Sequence, residues 1–240
     1  MRILALDTAT RATTVAVLDT EDGTELALRD DPEPGRRPRH TSCLMPLVTE
    51  ALARVGWGWP DLDRLAVGTG PGTFTGLRIG VATARALARA REIPLIGVSS
   101  LEALALGAHE AALEGGHDIV LAVLDARRHE VFAAAWPVAA AAGSTRPPAV
   151  LAPLPLAPAA LASHAAELGS SRLAIGDGAI EFRADLELPG TSIPAGDSAL
   201  HRVEASFHCR LAAERVPSAA EDVRPEYLRR PDAELNLRAP

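Results

Sequence analysis

Gly-Pro-Gly-Thr-Phe-Thr-Gly-Leu-Arg-Ile-Gly is the sequence of residues 70–80, which joins an apolar segment at 65–67 to an alanine-rich segment at 81–90. The apolar segment predicts a strand and the alanine-rich segment a helix, so residues 70–80 form a strand-to-helix turn. Glycines in such a turn let the backbone approach a partner closely. Thr75 is predicted to cap the helix, which leaves free N–H groups and the positive end of the helix dipole beside Arg78. The turn is therefore suited to receive an anion or the backbone of another protein.

Two well-known phosphate-binding motifs do not fit this turn. The motif G-x-x-x-x-G-K-[ST] requires a lysine, and the chain contains none. The dinucleotide motif G-x-G-x-x-G fails because Thr75 stands where its last glycine would be. Most glycine-rich turns between a strand and a helix bind nothing, so a purely structural turn stays open as the alternative to an anion site.

The charge balance argues against autonomous binding of nucleic acid. The 240 residues carry a net charge of −7, and the positive charges are all arginine, whereas proteins that bind nucleic acid alone usually have a basic face. Arg29, Arg36, Arg37 and Arg39 cluster in a proline-rich stretch, which is more typical of a solvated loop than of an RNA contact.

The chain also lacks the sequence marks of a secreted or membrane protein. Cys43 and Cys209 are too few for a disulfide framework. No stretch approaches the roughly 18 apolar residues of a membrane span, and the apolar run that ends at Asp7 is too short for a secretory signal. We expect a cytoplasmic protein that makes no contact with a membrane.

Apolar periodicity predicts a two-lobe α/β protein. With 48% hydrophobic residues the chain can bury one large core or two smaller ones. We place the N-terminal lobe at 1–108 and the C-terminal lobe at 109–240, because the strand pattern restarts after Gly115-Gly116. In the second lobe we predict an Ala/Pro-rich connection at 137–160, a last helix at 198–214 and an extended tail at 216–240. Predicted strands lie at 2–6, 13–18, 25–28, 64–68, 94–98, 119–124, 130–136 and 173–175, and predicted helices at 44–55, 76–90 and from Ser99 onward.

Five motifs, in order along the chain, closely resemble one bacterial family, the tRNA threonylcarbamoyladenosine biosynthesis protein TsaB, also called YeaZ. The resemblance is strong over roughly the first 135 residues and at the tail, and weak between them. It is carried by Ile3-Leu4-Ala5-Leu6-Asp7-Thr8-Ala9-Thr10, by His40-Thr41-Ser42-Cys43-Leu44-Met45-Pro46, by the glycine-rich turn with the helix and strand up to Glu102, by Val123-Leu124-Asp125-Ala126-Arg127 with the residues up to Phe132, and by Arg224-Pro225-Glu226-Tyr227-Leu228-Arg229.

The resemblance implies the two-lobe actin-like ATPase (ribonuclease H-like) fold, in which each lobe is a mixed sheet with helices. In active members of that superfamily the first hairpin turn meets nucleotide phosphates, and here it holds Asp7. The alternative is an Asx-turn, which we favour because Asp125-Ala126-Arg127, the corresponding turn of the second lobe, has no glycine. Gly176-Asp177-Gly178 is a better glycine pair, although it could simply end a strand. The possible nucleotide or anion contacts are Asp7, Thr8, Thr10, Gly72, Thr73, Thr75, Gly76 and Arg78.

Catalytic machinery is missing from the sequence. None of the seven histidines forms H-x-x-x-H, the spacing that places two metal ligands on one helix face. The related catalytic subunit TsaD carries such a pair and a metal. Ser99-Ser100 is not part of a G-x-S-x-G nucleophile turn either. We therefore predict no catalytic residue, no metal and no cofactor bound by the chain alone, with ATP or ADP possible at the interface of a complex.

The resemblance implies a non-catalytic scaffold subunit of the complex that makes N6-threonylcarbamoyladenosine at position 37 of tRNA. Its implied partners are TsaD, which this chain binds as a heterodimer and activates, and the ATPase TsaE. The resemblance also implies that the chain contacts tRNA only through the complex and forms a homodimer when it is alone. An actin-like small-molecule kinase or ATPase is the alternative, and a metallopeptidase is the least favoured.

The resemblance implies pairing through the first helix and the helix after the glycine-rich turn. The second of these helices has small or apolar residues on more than one face, as expected of a helix that lies between its own sheet and a partner. The predicted partner interface comprises His40, Leu44, Leu47, Ala51, Ile79, Ala82, Thr83, Ala86 and Ala90.

Overall fold

Two five-stranded mixed sheets form the core of the computed structural model, which describes residues 1–33, 35–138 and 147–229. The first sheet has the order β3-β2-β1-β4-β5. Its first three strands are antiparallel, and β4 and β5 continue parallel to β1. The strands are β1 (Arg2–Asp7), β2 (Thr13–Asp19), β3 (Glu25–Asp30), β4 (Arg64–Gly70) and β5 (Leu95–Ser99).

The second sheet repeats this topology. Its order is β10-β9-β6-β7-β8, with β6, β7 and β8 antiparallel and with β9 and β10 parallel to β6. Strands β6 to β10 therefore correspond one to one to β1 to β5, which confirms the predicted two-lobe actin-like fold. The strands are β6 (Ile119–Arg127), β7 (Glu130–Pro137), β8 (Leu151–Leu156), β9 (Arg172–Ile175) and β10 (Thr191–Ser192).

Seven α-helices cover the faces of the two sheets in the described parts of the chain. On the first sheet, α1 and α2 pack against side chains such as Leu4 and Val15, while α7 packs on the opposite face against Ile3 and Ala16. On the second sheet, α3 covers one face and α4 to α6 cover the other. The helices are α1 (His40–Val55), α2 (Phe74–Arg91), α3 (Ser100–Glu114), α4 (Pro158–Glu167), α5 (Asp177–Glu181), α6 (Arg183–Leu186) and α7 (Ala205–Ala213).

Helices α3 and α7 are exchanged between the lobes. Helix α3 follows the last strand of the first sheet, yet its Leu101 and Leu104 pack on the second sheet. Helix α7 follows the second sheet, yet its Ala205 and Cys209 pack on the first. The division at residue 108 stays our proposal for the lobes, but the last helix is shorter than the predicted 198–214 and covers the first sheet.

The Ala/Pro-rich connection is more ordered than predicted. Of 137–160, residues 139–146 lie outside the described residues, but 151–156 form strand β8 and α4 begins at Pro158. Pro153 and Pro155 are tolerated because β8 is an edge strand, which among the described strands pairs with β7 alone. A proline there lacks a backbone N–H but does not interrupt the pairing of two inner strands.

The described part of the tail runs along the first lobe and reaches the second. Ser218 forms a β-bridge with Leu95, and the N–H of Glu226 donates to the carbonyl of Thr69 over 2.7 Å. Further on, the guanidinium of Arg229 donates to the carbonyl of Ala126 over 3.0 Å. The tail therefore ties the edge of the first sheet to the β6–β7 hairpin, while its residues 230–240 lie outside the described residues.

No helix in the described ranges is both long enough and apolar enough to cross a membrane.

Candidate functional site

The turn between β1 and β2 (residues 7–10, the hairpin turn) packs directly against the loop between β4 and α2 (residues 70–76, the glycine loop). The backbone N–H of Thr73 donates to the carbonyl of Ala9 over 2.7 Å. In the other direction, the hydroxyl of Thr8 donates to the carbonyl of Gly76 over 2.7 Å. Thr73, and not Thr75, precedes the first residue of α2, so the predicted cap is corrected by two positions.

The close contact with the hairpin turn requires glycine at positions 72 and 76 of this loop. A Cβ atom on Gly72 would lie less than 3.0 Å from the carbonyl oxygen of Ala9, and one on Gly76 less than 3.0 Å from that of Thr8. Real Cβ atoms do not approach a backbone oxygen so closely. The observed contact between loop and hairpin turn is thus sufficient to explain both glycines without a ligand.

Replacing Gly76 with alanine should therefore destabilise the isolated protein, by about 3 kcal/mol, since the added methyl group can be relieved only by moving backbone. The matched control is Gly196→Ala, whose added Cβ would meet its nearest neighbour at an ordinary 3.6 Å. The free energies of unfolding in urea should differ between the two variants. Equal stabilities would show that the loop is not held against the hairpin turn as described.

Asp7 is fully buried and has three partners within the protein. Its Oδ1 accepts the backbone N–H of Ala9 over 2.7 Å, which is the Asx-turn geometry. Its Oδ2 accepts the hydroxyl of Ser100 over 2.6 Å and lies 2.9 Å from Nε2 of His208. Ser100 and His208 are themselves buried. A ligand would have to displace one of these groups to reach the carboxylate.

Electrostatics favour the charged form of Asp7 in this closed environment. Burial alone would raise its pKa, but the contacts with His208, Ser100 and the N–H of Ala9 outweigh burial and hold the pKa of Asp7 below its ordinary value. Sequence reasoning missed Ser100 and His208, which come from α3 and α7. A serine and a histidine so far from Asp7 in the chain carry no local signal that links them to the hairpin turn.

The other predicted contacts of the first lobe lie at the surface of this packed centre. Thr10 and Thr73 are half-buried, and Thr75 and Arg78 are exposed. The guanidinium of Arg78 lies over the ring of Phe74, 3.8 Å from its centre, and donates to the hydroxyl of Tyr227 in the tail. A nucleotide or anion contact at these residues stays a prediction.

The second lobe brings its two candidate turns together. The backbone N–H of Asp125 donates to Oδ1 of Asp177 over 2.9 Å, and the carboxylate of Asp125 pairs with Arg127 at 2.9 Å. Burial raises the pKa of Asp177. Gly176 has a φ of 109° and Gly178 packs on the backbone of Leu124, so this glycine pair leads into α5 and lets it lie close to β6.

A cavity of about 370 Å³ separates the two lobes next to these turns. Thr10 and Arg29 line it from the first lobe, and Asp177 and Ile180 from the second. Arg29 is already engaged, because it pairs with Asp31 at 2.6 Å and with Glu204 at 3.1 Å. Within the described ranges, no cluster of three or more His, Cys, Asp or Glu side chains could hold a metal ion.

The structure divides the predicted partner interface into buried and exposed positions. His40, Leu44 and Ala51 lie in the core and cannot contact a partner directly, which corrects the prediction for these three. Leu47, Ile79 and Thr83 are half-buried, and Ala82, Ala86 and Ala90 are exposed on α2. Met45, which the predicted interface does not include, is exposed on α1.

A protein family and two curated relatives that match this chain are named for threonylcarbamoyl modification of tRNA. The model of the family described as "TsaD: tRNA N6-adenosine threonylcarbamoyltransferase" matches residues 34–164. The chain is 43% identical over 137 residues to the tRNA threonylcarbamoyladenosine biosynthesis protein TsaB of Escherichia coli, covering 55% of this chain and 53% of that protein. It is 34% identical over 134 residues to TsaB of Bacillus subtilis, covering 55% and 53%. The chain thus spans about half the length of the curated relatives it matches.

Solved structures match over nearly the whole chain. YeaZ from Pseudomonas aeruginosa superposes with a TM-score of 0.73 at 27% identity, covering 95% of this chain and 99% of that one. A second Pseudomonas aeruginosa structure, of a protein described as similar to peptidase YeaZ, gives a TM-score of 0.75 at 29% identity, with the same two coverages. The whole two-lobe arrangement is therefore shared.

Proposed function

We propose that this chain, which belongs to the TsaD family of tRNA N6-adenosine threonylcarbamoyltransferases, is a non-catalytic subunit in the synthesis of threonylcarbamoyladenosine on tRNA. The similar proteins of Escherichia coli and Bacillus subtilis carry the name of that biosynthesis. In this proposal TsaD transfers the threonylcarbamoyl group to adenosine 37, and this chain stabilises the active form of TsaD.

The closed environment of Asp7 is the observation that carries the non-catalytic role. In the actin-like fold the first hairpin turn faces the cleft between the lobes, where a carboxylate would act on a nucleotide. Here the carboxylate is fully buried and contacts Ser100, His208 and the N–H of Ala9. A carboxylate whose oxygens already have protein partners is poorly placed to position water or a metal-bound phosphate.

The exposed face of α2 supports pairing with TsaD. Ala82, Ala86 and Ala90 are exposed there, and small residues let a second helix approach closely. The proposal includes a homodimer through this face when the chain is alone, a heterodimer when TsaD is present, and any ATP or ADP held at the interface of the complex.

Contact with tRNA is assigned to the complex and not to this chain. In the arginine-rich loop Arg36 pairs with Glu33, Arg39 pairs with Asp30, and Arg29 pairs with Asp31 and Glu204. Arginines paired with carboxylates offer little net positive charge to a phosphate backbone. The ATPase TsaE is the proposed third protein of the complex.

Reconstitution tests the proposal. Purified alone, the chain should neither modify tRNA nor hydrolyse ATP at ordinary enzyme rates of about 1–1000 per second. With TsaD and TsaE of the same organism, and with threonylcarbamoyl-adenylate supplied as the donor, omission of this chain should abolish threonylcarbamoyladenosine formation, measured by mass spectrometry of digested tRNA. Rapid ATP turnover by the isolated chain would favour the kinase or ATPase alternative instead.

A further inference from the structure

Three arginines along one face of α2, of which Arg85 is half-buried and the other two are exposed, have no carboxylate partner among the described residues. Arg78, Arg85 and Arg89 recur at spacings of seven and four residues, so they lie on one face of the helix together with Ala82. The guanidinium of Arg78 lies over the ring of Phe74 and donates to the hydroxyl of Tyr227, and neither group carries a charge. Within the described residues, no acidic side chain lies in ion-pair range of any of the three. Helix α2 itself contains no acidic residue.

The arginines of this helix face differ in their ion pairing from most other surface arginines of the chain. The arginines of the other surface elements are mostly neutralised by carboxylates, as in the pairs Arg2–Asp19, Arg54–Glu50, Arg183–Glu187, Arg210–Glu25 and Arg215–Glu102. On this face of α2, by contrast, three arginines without a carboxylate partner lie together, in a protein whose net charge is −7. That helix is the one whose exposed alanines mark it as the partner face.

A groove continues the same face toward the tail. It encloses about 760 Å³ and is lined by Arg85, Arg89, the β5 entry at 93–95, and Ser218 and Glu221 of the tail. Among the described residues that line the groove, Glu221 is the one carboxylate, and it makes no ion pair with either arginine. The groove offers space for side chains of a docked segment beside the two guanidinium groups.

We propose that the α2 face, defined by Arg78, Ala82, Arg85, Ala86 and Arg89, docks an acidic surface of the partner subunit. The inference rests on the proposed function and adds the charge of the surface that this face recognises. Carboxylates of the partner would pair with Arg85 and Arg89 in the groove, while the alanines between them let the partner backbone come close.

The same charges oppose self-pairing. In a two-fold symmetric homodimer the same patch meets itself, so arginines of one copy approach arginines of the other. Like charges brought together weaken an interface, whereas opposite charges strengthen it and speed its formation. The homodimer is therefore the weaker assembly, and the charge difference drives its replacement by the heterodimer.

The heterodimer with TsaD and the homodimer should respond differently to salt. Raising sodium chloride from about 0.05 M to about 0.5 M shortens the screening length several-fold. It should weaken the complex with TsaD of the same organism by about tenfold or more, because attraction is screened. The homodimer should become tighter or stay unchanged over the same range. Both dissociation constants are measurable by sedimentation velocity.

Charge reversal on α2 gives the decisive test. Arg89→Glu should weaken binding to TsaD by about tenfold or more at low salt, whereas Arg89→Lys should keep most of the affinity. Arg202→Glu, an exposed position outside α2, is the control and should bind as the wild type does. Circular dichroism and unfolding in urea verify that each variant is folded.

The outcomes separate the two proposals. Binding of the wild type that neither salt nor Arg89→Glu weakens would overturn the acidic partner surface and leave the proposed function intact. If wild-type protein does not bind TsaD under any salt condition, the proposed function and this inference are both wrong.

Discussion

Replacing Ala86 with arginine should strongly weaken pairing of this chain with TsaD while leaving the monomer folded. Ala86 is exposed on α2, so the longer side chain meets solvent in the monomer and not the core. In the complex the same side chain would fill the space that lets two helices approach closely. Forcing a large side chain into a close-packed contact costs about 1–3 kcal/mol, which corresponds to a loss of binding by about 5- to 150-fold.

The matched control for this variant is Ala166→Arg. Ala166 is likewise exposed on a helix, α4, which lies on the second lobe away from the proposed face. Sedimentation should show wild-type pairing for Ala166→Arg and weaker pairing for Ala86→Arg, and the unfolding transition should be the same for both. Undiminished association of Ala86→Arg with TsaD would place the partner surface elsewhere on the molecule.

Replacing Asp7 with alanine should destabilise the protein by about 3 kcal/mol, because the buried Nε2 of His208 would lose its contact with the carboxylate, and each buried polar group left without a partner costs about 1–3 kcal/mol. The N–H of Ala9 and the hydroxyl of Ser100 would also lose their acceptor. Asp22→Ala is the control, since the carboxylate of Asp22 accepts the N–H of Thr24 in the same local geometry but in an exposed turn. Unfolding in urea should show a much smaller effect for Asp22→Ala.

The effect of Asp7 should also depend on pH in a defined direction. Because its pKa in the folded protein is lowered, its stabilising contribution is fully present above the ordinary aspartate pKa of about 4. The contribution is lost as the pH falls through the folded-state value. The difference in stability between wild type and Asp7→Ala should therefore narrow only in acid, below about pH 4. A difference that is already absent at neutral pH would show that the buried carboxylate of Asp7 does not stabilise the fold.

The strands of both lobes were largely predictable from sequence because they are buried on both faces. All residues of β2 and all but the first of β1 are buried, so they read as continuous apolar runs bounded by turn residues. Strand β8 was missed for the opposite reason. It is a half-exposed edge strand with two prolines, and neither its composition nor its periodicity differs from that of a loop.

The candidate site was predictable only in part. The hairpin turn and the glycine loop are local patterns, and both were found. Their contact with each other, and the contacts of Asp7 with Ser100 and His208, depend on how α2, α3 and α7 pack on the first sheet. The buried positions of Leu44 and Ala51 could not be separated from exposed ones either, since α1 is apolar on more than one side and only packing decides which side faces the sheet.

The exchange of α3 and α7 has a consequence for how this protein is made. Strand β5 completes the first sheet at Ser99, but the helix that covers one face of that sheet begins only at Ala205. At a ribosomal rate of about 5–20 residues per second, the intervening stretch of about 100 residues takes roughly 5–20 seconds to synthesise. During that interval the apolar face that carries Ile3, Ala5 and Ala16 lacks the helix that shields it. The nascent N-terminal half is therefore a natural client for chaperones that bind exposed apolar surface at the ribosome.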